Sequence, residues 1–222
     1  MEIEPLEGLI RQHSTTAVFV PLEFYIAGRK PSLEERADWV QRMVSAYDLD
    51  ERVPDEVRGY YEVARRLHVY GLFEYSFFTV ANERTTFAAE FATRLRFLEL
   101  HDWRIPVERG DVPTRESDVI EATSTWAFDS EFRRRHRKKW RLEGDPGFNG
   151  SFLAHLRWAH HHIHLGRYFN DVRLSAIADL RNMAAHPSMN TRVGPHDSAR
   201  SIEFSWRLIN ALWGIPAEES FY

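Results

Sequence analysis

The chain has 222 residues, 29 Lys plus Arg against 33 Asp plus Glu, a net charge of −4 and no cysteine. The missing cysteine excludes disulfides, thiolate metal sites and a cysteine nucleophile. No apolar run approaches the roughly 18 residues a membrane span needs, and the acidic opening MEIEPLEGL lacks the apolar core of a secretory signal, so a cytoplasmic protein is expected.

In chain order, residues 1–55 read as an N-terminal extension, with a short apolar, β-branched strand at 15–27 and a helix at 32–47. Ser32 and Glu35 form the capping-box pattern that opens this helix. From Asp55 to Leu100 the helical period is nearly continuous. Phe73, Phe77, Val80, Phe87, Phe91, Leu95 and Leu98 recur at steps of three, four or seven, which predicts a core stripe on one long helix or two in series. Gly71 is the natural break. The alternative for this stripe is a ligand pocket. Residues 101–116 contain two prolines and a glycine and read as a loop. A helix is expected over 117–141, then a turn cluster over 142–150. Three helices follow: 151–165, stopped by Gly166; an Asn170 or Asp171 cap running to Ala185; and Asp197 to Gly214, carrying Ala199, Ile202, Trp206, Ile209 and Trp213. The fold class this predicts is all-α, with an antiparallel bundle in the C-terminal part.

The stretch AIADLRNMAAHPSMN, residues 176–190, carries the chemistry. Asn182 and His186 are four apart and share a helix face, while Arg181 lies about 100° round the axis. Pro187 forces His186 to the last turn or just beyond it. There the negative end of the helix dipole favours protonated imidazole. A guanidinium, an amide and an imidazole are the parts needed to cleave RNA without a metal. Arg181 can clamp the phosphate, His186 can transfer a proton, and Asn182 can hold the imidazole or donate to the phosphate. One imidazole does not easily serve both in-line positions, so two copies across a two-fold axis are expected to build a composite cleft. A purely structural reading stands beside this one: Arg181 pairs with an acid, Asn182 bonds a carbonyl and His186 caps the helix.

The segment LRNMAAHPS resembles the Arg-Asn-x-x-x-His signature of HEPN-domain ribonucleases. The preceding LAHLRWAHHH helix and the amphipathic closing helix fit, and residues 70–97 resemble the opening helix of such bundles. The resemblance implies a HEPN-like antiparallel helical bundle over 56–222, with a basic insertion around 99–150. It also implies a homodimeric, metal-independent endoribonuclease without cofactor, acting as a toxin or phage-defence effector, with an antitoxin or defence-complex protein as partner. Arg181 and His186 would be catalytic and Asn182 supporting. The competing reading is a non-catalytic helical adaptor that binds RNA, a nucleotide or a partner protein.

Two further clusters bear on this. The segment 131–144 concentrates Arg133, Arg134, Arg135, Arg137, Lys138, Lys139 and Arg141 around His136 and Trp140. It reads either as an RNA-binding surface, with Trp140 or His136 stacking on a base, or as a solvated helix face. The run HLRWAHHHIHL places His160 and His164 at the spacing of a two-histidine metal site. No carboxylate lies within that helix, so core-edge or interface histidines are the alternative. A third reading makes His160 and His164 neighbours of the active site on a helix adjoining the motif helix.

Overall fold

The computed structural model describes residues 31–109, 116–185 and 193–216. These residues form helices α1 (Leu33–Ser45), α2 (Asp55–Tyr70), α3 (Ser76–Leu100), α4 (Thr125–His136), α5 (Phe152–Ile163), α6 (Asp171–Ala185) and α7 (Pro195–Leu212). Three strands join them: β1 (Arg104–Arg109), β2 (Ser117–Glu121) and β3 (Trp140–Leu142). The described chain is mostly helical, but the expectation of an all-α protein is corrected by this sheet. The expected strand at 15–27 lies outside the described residues. None of the described helices is long and apolar enough to cross a membrane.

The chain divides into two compact units. One takes the chain up to Ala89 together with Arg181–Asn210, and the other takes Glu90–Leu180 and the residues from Ala211 onward.

In the first unit, α1 begins as its sequence dictates. Ser32 Oγ accepts from the Glu35 amide at 3.2 Å, and the Glu35 carboxylate accepts from the Ser32 amide at 2.8 Å. Val40, Val44, Val57, Ala64, Ala81 and Ile202 are fully buried. Two polar groups inside this core pair across helices: Tyr61 Oη donates to the Ile202 carbonyl at 3.1 Å, and His68 Nδ1 lies 3.1 Å from Ser198 Oγ. Arg65, only 2% exposed, bonds Asp48, Glu62 and the carbonyls of Val44 and Ser45. Three acceptors at or just past the end of α1, with Glu62 one turn back on α2, offset its desolvation.

In the second unit, β1 is the central strand, antiparallel to β2 and to β3. Ile105 and Val107 alternate inward from β1 and are fully buried. Beside the sheet lies an aromatic cluster. Phe97 stacks on Phe148 at 5.2 Å and 8°, and touches Phe128, His155 and Trp158. The reading of 101–116 as a loop and 117–141 as one helix is therefore corrected. Pro106 sits in β1, yet β3 pairs only with Val107 to Arg109. The Pro106 carbonyl accepts from the Glu143 amide, just past the end of β3. The ring nitrogen faces that same side, where β3 has run out, so its missing N–H costs no ladder bond.

The long helix α3 corrects part of a second expectation: Leu95 and Leu98, with Phe73 just before the helix, are buried as the stripe predicts, but its other four residues are not. Its innermost face is Ala81, Thr85, Ala88 and Ala92, all fully buried at steps of four, three and four. The aromatic stripe is displaced about 90° round the axis. Phe87 is 36% exposed, and Phe77, Val80 and Phe91 are only half-buried. α5 ends at Ile163, and His164 takes a left-handed conformation with φ 58°. The helix thus stops two residues short of its expected end at Leu165.

Candidate functional site

Helix α6 starts where its sequence says. The Asn170 side-chain oxygen accepts from the Arg173 amide at 3.0 Å, and α6 then runs fifteen residues to Ala185. Arg181 and Asn182 fall on its closing turns. Arg181 is half-buried, and its guanidinium carbon lies 6.0 Å from the centroid of the Phe87 ring, within cation–π range. Asn182 is exposed. His186 and Pro187 lie outside the described residues. The chain is next described at Val193, whose amide donates to Thr79 Oγ1 at 3.3 Å. The sequence period puts Phe87 in the core stripe. What marks it as part of the site is its place on a flank rather than on the alanine face, and only packing reveals that.

The same helix exposes an apolar row. Val172 is 78% exposed and Leu180 42%, with exposed Ala176 between them at four-residue spacing. A row of this kind on a surface helix is unusual without something packed on it.

The basic segment divides into two sets. Arg134 and Arg135 both bond Glu131, and Arg135 also bonds Asp118 and lies 5.6 Å from the Trp140 ring. Those hydrogen bonds pull the Glu131 carboxyl down to about 2. Arg141 donates to the carbonyls of His136 and Trp140. Arg133, Arg137, Lys138 and Lys139 are exposed. His136 and Trp140, proposed as base-stacking groups, are both half-buried. The fully presented aromatic is Trp126, 75% exposed at the start of α4. Its signal in the sequence is a seven- and eleven-residue spacing to Arg133 and Arg137 on one helix.

His160 and His164 do not keep their expected pairing, because the left-handed turn at His164 takes it off the face of α5. His160 is half-buried and His164 exposed. Both belong to the second unit, whereas Arg181 and Asn182 belong to the first. Among the described residues no group of three or more His, Asp or Glu is arranged to hold a metal ion. Within the second unit a half-open cleft of about 330 Å³ is lined by Leu100, His101, Glu143, Asp145, Trp158 and His162, among others. Partial burial and the neighbouring His101 hold His162 below the usual imidazole range.

Comparison with protein-family models, with curated proteins and with solved structures finds no match.

Proposed function

We propose that this chain is a HEPN-type endoribonuclease, a helical bundle that cleaves RNA by 2′-OH transesterification without a metal, as a toxin or phage-defence effector. The 2′-oxygen attacks the adjacent phosphorus as its proton passes to a base. The bond to the 5′-oxygen breaks, and that oxygen takes a proton. The products are a 2′,3′-cyclic phosphate and a 5′-hydroxyl. Arg181 binds the non-bridging phosphate oxygens as negative charge grows on them. His186 transfers the proton, and Asn182 orients it or donates to the phosphate. A second copy supplies the second proton-transfer group.

The observation that carries this reading is where Arg181 and Asn182 stand. Asn182 is open to solvent, and Arg181 rests on an aromatic ring at the end of a helix whose outer row is apolar. That row suits packing against a second copy, which would bring two helix ends together. The adaptor reading draws on a different observation, the cationic surface of α4, which can hold a polyanion without chemistry.

The full chain incubated with RNA in EDTA tests the proposal. Cleavage leaving cyclic phosphate ends is expected, with near-total loss in Arg181→Ala and in His186→Ala while both stay folded. Intact RNA of every class, or undiminished cleavage by the His186→Ala variant, overturns it and favours the adaptor.

A further inference from the structure

Helix α4 turns Phe128 and Phe132 inward, both at most 1% exposed. On the opposite side stand Trp126, Ser130, Arg133 and Arg137, the last at the helix C-cap. Their steps of four, three and four confine them to about 60° of arc and about 16 Å of axis. All four are exposed, Trp126 to 75%. An indole held that far from the core contributes little to folding.

The face is also cationic by subtraction. Residues 125–141 hold seven Arg and Lys but only Asp129 and Glu131 as acids. Glu131 is bonded by Arg134 and Arg135, and Asp129 by Arg94. Arg133 donates its Nε–H to the Asp129 carbonyl at 3.1 Å, which fixes the side chain along the face. A flat apolar ring beside ordered positive charge, on a chain of net charge −4, complements a polyanion that carries flat rings.

We infer that this face of α4 binds single-stranded RNA, with Trp126 stacking on an unpaired base and Arg133 and Arg137 meeting the flanking phosphates. Base pairing hides the faces an indole needs, so a duplex fits the face poorly. The inference rests on the ribonuclease reading for its choice of RNA among polyanions, and it replaces Trp140 and His136 as the stacking groups.

The test measures binding by the full chain carrying Arg181→Ala, so that the probes stay intact. The probes are labelled twelve-nucleotide oligo(U) and oligo(A), a twelve-base-pair RNA duplex, and polyglutamate. Adding Trp126→Ala is expected to weaken both single strands by about tenfold, while Trp126→Phe keeps most of the affinity. Adding Arg133→Ser with Arg137→Ser is expected to flatten the salt slope by about 1.4, two phosphates' worth. Duplex binding should be weaker and indifferent to Trp126. Unchanged single-strand affinity in a folded Trp126→Ala variant overturns the inference. So does polyglutamate bound as tightly as RNA with the same Trp126 dependence, which would assign the face to an acidic protein. Trp126-dependent binding in this background, with no cleavage by the parent chain that keeps Arg181, would remove the nuclease reading alone. Cleavage by the parent chain, beside binding that is indifferent to Trp126, would remove this inference alone.

Discussion

The guanidinium of Arg181 lies over the ring of Phe87, bringing the end of α6 onto the flank of α3 within the first unit. A cation–π contact at a partly exposed site is worth about 0.5–1 kcal/mol, and it also restricts where the guanidinium points. Phe87→Leu keeps the bulk and loses the ring quadrupole. Cleavage is expected to fall roughly two- to fivefold, with unfolding free energy changed by less than about 0.5 kcal/mol. Equal cleavage rates for the variant and the parent would show that the ring does not position Arg181.

A second expectation concerns charge inside the second unit. Arg94 bonds Glu90 at 2.7 Å and also Asp129, and the three side chains are only 14%, 10% and 18% exposed. Removing the cation leaves two poorly solvated carboxylates facing each other. Arg94→Met is expected to cost about 3–5 kcal/mol in urea unfolding, and adding Glu90→Gln should recover part of that. A loss under about 1 kcal/mol would mean that water already solvates the pair.

Two glycines should respond in opposite directions. Gly59 is exposed within α2, and a Cβ there meets nothing within 4 Å. Gly59→Ala is expected to stabilise by about 0.5–1 kcal/mol through helix propensity. A Cβ on Gly71 would come within 2.5 Å of the buried Phe78 ring. Gly71→Ala is expected to destabilise by about 1–3 kcal/mol although its φ of −55° suits any residue. Thermal unfolding of both variants checks the pair, and shifts of the same sign would contradict the packing at Gly71.

Acid should weaken the fold through two interior histidines. Burial, with help from Arg94, holds His155 down to about 3 against the opposing pull of the Ser151 carbonyl. Burial holds His68 down to about 4, against the Val40 carbonyl. An unfolded histidine titrates near 6.5, so between those values the unfolded chain binds the extra protons. Stability from these groups is whole above about pH 6.5 and declines toward pH 4 and then 3, by up to about 1.4 kcal/mol per pH unit for each histidine. Urea midpoints at pH 7.5, 6.0 and 5.0 should fall in that order, and the fall should be shallower in His155→Leu. A midpoint that stays level down to pH 5.0 would rule this out.

Legibility of the sequence followed the range of the interactions involved. The Ser32–Glu35 cap, the Asn170 cap of α6 and the break at Gly71 are local devices, written within a few residues, and the structure has them where the sequence places them. The sheet is not local. Pro106 reads as a breaker because its tolerance depends on where β3 ends, more than thirty residues on. The alternation Ile105–Val107 was present, but over too few positions to outweigh two prolines and a glycine. On α3 the apolar period drew one expected core stripe; Leu95 and Leu98 of it are buried, but between Ala81 and Ala92 the buried face is built mostly from small residues. For the candidate site, spacing in the sequence points to Arg181 and Asn182. The outward turn of Phe87 and Trp126 is not legible there, because the sequence does not show which aromatic a helix turns outward.

The alanine face of α3 also bears on engineering. Ala81, Ala88 and Ala92 are fully buried, so an added methyl meets packed neighbours and has to displace them. A library randomised at those three positions should return little besides alanine, serine and glycine. One randomised at Phe77, Val80 and Phe91 should return a broad alphabet, so the half-exposed aromatic flank is where this helix can be rewritten.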